Sequence, residues 1–179
     1  MPTVQSCQLP QPALLRKYLD AGAYADCYVA ELAWPVSHAE FVEAFYSTPV
    51  FKLERLLLAW FVAKPSTDAQ AKALARGSLS AFAAWTVEAR SVDQLLMSDF
   101  QGRTRSWLMS EVNGPAASRL YFGSAVVPLV SRQSGKARIG IAFRALLGFH
   151  RLYSRVLLRA ACARLAGADG PNREPKSEA

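Results

Sequence analysis

SAFAAWTVEARSVDQLLMSDFQGRTRSWLMSEVNGPAASRLYFGSAVV, residues 80–127, is where the hydrophobic period of this chain changes from helical to alternating. Four runs separated by turn chemistry read as strands: Ser80 to Arg90, Gln94 to Phe100, Thr104 to Val112 and Ser118 to Val127. Gln101 and Gly102 make a tight hairpin between the second and third runs, and Asn113, Gly114 and Pro115 turn the third into the fourth. Short consecutive connections mean antiparallel pairing, so this half of the chain is an antiparallel sheet.

Upstream, the pattern is mostly helical. Leu14, Leu15, Tyr18 and Leu19 set one face of a short helix that ends near Gly22. Tyr24 to Leu32 (YADCYVAEL) reads as a further strand, stopped by Pro35. Ser37 and Glu40 form a capping box for a helix to about Tyr46. Pro49 opens another, with Phe51, Leu53, Leu56, Leu57, Trp60 and Phe61 on its apolar face. Ser66, Thr67 and Asp68 offer caps for a helix over Ala69 to Arg76, released by Gly77.

Downstream, Ile139 to Ala166 reads as one helix of about 28 residues, hence about 42 Å long, enough to lie along the whole sheet. Phe143, Leu146, Leu147, His150, Tyr153, Leu157 and Ala161 form its apolar stripe. Arg144, Arg151, Arg155 and Arg159 form an adjacent stripe that should face water. Residues 1–12 read as a flexible leader and 167–179 as a disordered tail, leaving a single domain over 13–166.

Composition agrees with a chain that folds alone: 179 residues, 51% hydrophobic and 20% charged. Cys7, Cys27 and Cys162 are widely spaced and, with His38 and His150 as the only histidines, suggest neither a disulfide framework nor a zinc site. No cofactor is indicated. The first fourteen residues lack a basic start followed by an apolar run, so a cytoplasmic location is expected. Leu56 to Ala63 is too short to span a bilayer, and Ile139 to Ala166 carries five arginines that a bilayer centre would penalise. The net charge of +7 is weighted towards the last third.

Three segments, Trp85 to Arg90 (WTVEAR), Gln94 to Leu108 (QLLMSDFQGRTRSWL) and Arg119 to Pro128 (RLYFGSAVVP), together with the terminal FRALLGFHRLYSRVLL, resemble the sheet and closing helix of the START-like superfamily. That superfamily includes birch-allergen-like proteins and polyketide cyclases, and the resemblance is to one of its uncharacterised bacterial families. It implies an α+β helix-grip fold, in which a curved antiparallel sheet of five or more strands packs on the long C-terminal helix, with short helices between the first strand and the rest. Fuller members have about seven strands, with a hairpin after the first helices, where residues 66–77 here read as helix. The resemblance further implies a cavity between sheet and helix that binds an apolar or aromatic small molecule.

The residues that could serve such a cavity each have a plainer reading. His150 lies midway along the apolar stripe, as an acid, base or ligand anchor, or as a core histidine satisfied by a carbonyl. Asp99 and Arg105 flank the hairpin and could receive a polar ligand end. A two-residue turn puts them on opposite faces, and a three-residue loop puts them on one. Trp85, Trp107 and Tyr121 sit one per strand and either line the pocket or fill the core. No GxSxG, HExxH or glycine-rich phosphate loop is present, and no catalytic residue is assigned. Alternatives are an interaction module whose basic helix meets an acidic partner or, peripherally, a membrane surface, and a cyclase- or hydrolase-like enzyme with His150 as base. Nucleic acid is not expected as a partner, since no aromatic residue alternates with the arginines, and the chain is expected as a monomer or homodimer.

Overall fold

The structure is a computed structural model that describes residues 2–52, 66–114, 116–127 and 141–168, the side chains of the last segment from 151 to 167. Its elements in chain order are β1 (Val4–Ser6), α1 (Arg16–Asp20), β2 (Tyr24–Leu32), α2 (His38–Tyr46), α3 (Asp68–Ala75), β3 (Ala81–Phe82), β4 (Trp85–Arg90), β5 (Gln94–Asp99), β6 (Thr104–Val112), β7 (Ser118–Val126) and α4 (Ile141–Ala168). The strands form one antiparallel sheet in the order β1-β2-β7-β6-β5-β4-β3, which gives an α+β protein with a seven-stranded sheet and a C-terminal helix.

Local chemistry sets most of these boundaries. Ser37 accepts the backbone N–H of Glu40 and the Glu40 carboxylate accepts that of Ser37, so α2 starts on the expected capping box. Thr67 and Gln70 repeat the device for α3. Pro49 to Lys52 are helical, and the remainder of the helix expected from Pro49 lies outside the described residues, as do the stretch 128–140 and the tail beyond Ala168.

Two expectations need correction. The residues read as a flexible leader contain β1, which pairs with β2 at Val4↔Ala30, Gln5↔Val29 and Ser6↔Tyr28. The run read as one strand from Ser80 to Arg90 is instead a hairpin: Phe82 pairs with Trp85, and Ala83 takes the left-handed φ of 52° that so tight a turn requires. These two short strands bring the five expected strands to seven.

Both faces of the sheet are covered, and this decides where the side chains go. The inner face carries Tyr28, Ala30, Phe82, Leu95, Met97, Leu108, Leu120 and Phe122, packed against Phe41, Phe45 and Tyr46 of α2, Leu74 of α3, and Leu157, Leu158 and Ala161 of α4. The outer face carries Cys27, Leu96, Trp107, Met109, Tyr121 and Ala125, covered by Leu9, Ala13 and Leu15 from the N-terminal segment. Gln94 fastens that segment. Its Oε1 accepts Leu14 N–H and Trp107 Nε1–H, both at 2.9 Å, and its Nε2 donates to the Pro12 carbonyl at 3.0 Å. A buried amide with its oxygen and nitrogen both engaged offsets its own desolvation and fixes what it touches.

Candidate functional site

A cavity of about 230 Å³ opens between the inner face of the sheet and the helices. Its apolar wall is aromatic: Phe45 from α2, Phe51 from the helical residues 49–52 that follow it, and Phe122 from β7, with Tyr153 and Leu157 contributed by α4. Phe45 sits 4.8 Å from Phe122 and 6.2 Å from Phe51 between ring centroids, so the wall is a set of mutually braced rings. Alternation along β6 and β7 sends Thr104, Ser106 and Ser124 to the same side, and their hydroxyls make one end of the cavity polar. Ser124 Oγ donates to Asp26 Oδ1 at 2.6 Å, and Ser106 Oγ lies 3.5 Å from the Tyr46 hydroxyl. Trp85, Asp99 and Phe100 close the polar end.

Of the residues singled out in the sequence, Trp85 and Asp99 line this cavity, and they pair with each other across β4 and β5. Asp99 Oδ1 also accepts Arg103 N–H at 2.7 Å, which fixes the carboxylate beside the hairpin turn. The Ser98↔Arg105 register is that of the two-residue turn, so Arg105 falls on the opposite face from Asp99. Arg105 borders the cavity, but its guanidinium turns outward: Nε donates to Glu88 Oε2 at 2.6 Å and to the Tyr18 hydroxyl at 2.7 Å. Burial would raise the Glu88 carboxyl, but Lys17, Tyr18 and Arg105 together hold it below its usual range. This cluster fastens α1 to the sheet and is not available to a ligand in the cavity.

Trp107 and Tyr121, also expected in the pocket, belong to the outer layer. Trp107 is fully buried beneath the N-terminal segment, and the Tyr121 hydroxyl donates to Glu111 Oε2 at 2.9 Å. The reason is parity: each neighbours an inner-face residue, Leu108 and Phe122, and only one of each pair can face the helices. The His150 side chain lies outside the described residues. Phe45, Ser106, Phe122 and Ser124 were missed by the sequence reading; Phe122 shares parity with Thr104 across the ladder, but parity does not say which face meets the helices.

Of the arginine stripe of α4, Arg151, Arg155 and Arg159 are exposed as expected, and the Arg144 side chain lies outside the described residues. Two of the three rest on tyrosines of β2. The Arg151 guanidinium is 5.8 Å from the Tyr24 ring and the Arg155 guanidinium 5.5 Å from that of Tyr28, within cation–π range. Among the described residues no helix is long and apolar enough to cross a membrane, and no group of three or more His, Cys, Asp or Glu is placed to hold a metal ion.

His38 begins α2 at the far end of β6 from the cavity, with Nδ1 3.3 Å from Ser110 Oγ. Burial pushes its pKa down to about 4; Asp93 opposes that shift and Arg90 adds to it. The unfolded chain protonates His38 near pH 6.5, whereas the folded protein resists until about pH 4, so acid favours unfolding through this group. Its contribution is complete above about pH 6.5 and is lost as pH falls towards 4, up to about 3 kcal/mol in all. Urea unfolding across this window should therefore show wild type losing more stability than His38→Gln, and parallel pH curves for the two proteins would refute the assignment.

No family model matches this chain, and no curated protein or solved structure matches it.

Proposed function

We propose that this chain is a START-like, helix-grip protein that binds an apolar or aromatic small molecule in the cavity between the inner sheet face, α2 and α4. The observation that carries the reading is a space of about 230 Å³ with an aromatic wall and a cluster of hydroxyls and one carboxylate at a single end. Such a combination of apolar bulk with a few convergent polar groups is what orients a small ligand. The volume lies above the roughly 150 Å³ that accommodates benzene and below the roughly 300 Å³ where drug-sized sites begin. A one-ring or compact two-ring molecule fits that interval. Asp99 together with Thr104, Ser106 and Ser124 favours a hydroxyl or amine at the polar end over a carboxylate, which Asp99 would repel.

The first test is native mass spectrometry of the protein purified from its own host, compared with the denatured chain mass. A reproducible excess mass lost on denaturation is expected. The second is an NMR titration with 4-methylphenol and 4-methylbenzoate, following Phe45, Phe122 and Leu157. The phenol should bind at least about tenfold more tightly, a difference of about 1.4 kcal/mol, and Ala84→Leu, which extends a buried lining side chain into the space, should weaken it. A clean apo mass together with unshifted lining resonances would overturn the proposal.

A further inference from the structure

The register of β1 on β2 does something that the spacing of the cysteines does not hint at. Continuing the pairing Val4↔Ala30, Gln5↔Val29, Ser6↔Tyr28 by one step sets Cys7 opposite Cys27, and Cys7 N–H donates to the Cys27 carbonyl at 3.0 Å. Residues directly opposed on antiparallel strands have Cα atoms about 4.5–5.5 Å apart, inside the range of about 4.4–6.8 Å that a disulfide needs. The two sulfurs lie 3.2 Å apart, and both cysteines are free thiols. Cys27 is buried in the outer-face cluster, whereas Cys7 is partly exposed at its edge. Cys162, the third thiol, is fully buried in the inner core.

We propose that Cys7 and Cys27 are a reactive thiol pair that a small peroxide converts to a cross-strand disulfide, clamping the N-terminal segment over the outer face of the sheet. Cys7 reacts first because it is the one solvent reaches. The hydrogen bond with Cys27 also lowers its pKa, outweighing the opposing effect of burial, whereas that same contact and burial push the Cys27 thiol up. The Cys7 thiolate attacks the peroxide O–O bond and becomes a sulfenic acid, releasing hydroxide. The Cys27 sulfur then attacks the Cys7 sulfur, the S–S bond forms, and the sulfenic oxygen leaves as water with the Cys27 proton. Two electrons pass from the thiols to the peroxide, and a dithiol reductant reverses the step.

The bond would close a loop holding α1 and the three residues, Leu9, Ala13 and Leu15, that cover Trp107 and its neighbours. Cross-linking a loop of this length removes freedom from the unfolded chain rather than adding contacts to the folded one. Its effect is therefore read in unfolding and is independent of any ligand in the cavity on the other face.

The experiment takes the reduced full chain, adds hydrogen peroxide at a small excess, alkylates the remaining thiols with N-ethylmaleimide and maps peptides without reduction. A Cys7–Cys27 linked peptide is expected, with the chain lighter by two hydrogen atoms and both sites alkylatable again after dithiothreitol. The urea midpoint of the oxidised protein should rise by about 1 M or more over the reduced one, and Cys7→Ser should show no such rise. Cys7 recovered as a sulfinic or sulfonic acid with Cys27 still alkylatable would overturn the pair. A linked peptide without a midpoint rise would overturn the clamp.

Discussion

Trp107→Ala should cost about 3–5 kcal/mol in urea unfolding, a large share of the about 5–15 kcal/mol that holds a typical domain folded. Trp107 has no exposed surface and stands between the outer sheet face and the N-terminal segment, with Tyr121 at 6.4 Å between ring centroids. Its loss removes the indole and also one of the two donors to Gln94 Oε1, the oxygen that holds Leu14 N–H. A cavity opens where the covering segment is tied down, and that segment has only short elements with which to refill it. Trp107→Phe should cost less, since it keeps most of the bulk and the Leu14 N–H remains to satisfy Gln94. The Phe variant should also leave 4-methylphenol binding unchanged, because Trp107 faces away from the cavity. A loss of affinity as large as that of Ala84→Leu would mean that the two faces are not independent.

Gly123→Ala should be the other severe change, at about 1–3 kcal/mol destabilising and towards the upper end. Propensity alone argues for the opposite sign, since glycine inside a strand is worse than alanine by about 0.5–1 kcal/mol. Packing decides it. A Cβ at this position would lie 2.9 Å from the Asp26 carbonyl oxygen, 2.9 Å from Trp107 Cε3 and 3.0 Å from Leu15 Cδ2. The carbonyl belongs to β2, paired with β7 along its whole length, and Trp107 is fixed by Gln94, so only Leu15 can yield cheaply. The substitution should therefore couple with Trp107→Phe, whose smaller ring frees one of the three contacts. The double variant should be less destabilised than the sum of the singles, and strict additivity in urea unfolding would contradict this packing.

The fate of the expected site residues shows how far local signals reach. The Asp99–Arg105 question was resolvable in principle, because Gln101 and Gly102 are the residues of a two-residue turn and that turn fixes the register observed. Arg105 then had to oppose Ser98, away from Asp99. Trp107 and Tyr121 could not be placed in the same way. Leu95 and Leu96, Trp107 and Leu108, and Tyr121 and Phe122 are consecutive apolar pairs, so alternation in these strands identifies two faces without saying which one meets the helices. The usual cue, one apolar and one polar face, is missing because both faces are buried.

Sequence by itself determined the elements whose signals are local: β2 from Tyr24 to Leu32, β6 from Thr104 to Val112, the capped start of α2 at Ser37, and the outward Arg151, Arg155 and Arg159 of α4. In each, the deciding interactions lie within a few residues, whether a cap, a turn or an alternating run. Tertiary structure alone decided the sidedness of the sheet, the membership of the cavity and the meeting of Cys7 with Cys27. Residues 4–15 carry too little periodicity to announce a strand and a cover, and their order comes from partners far along the chain, Gln94 and Trp107 among them. A segment stabilised mainly by distant contacts has no local signature, and it is the segment that covers the outer face on which Trp107 and Tyr121 lie.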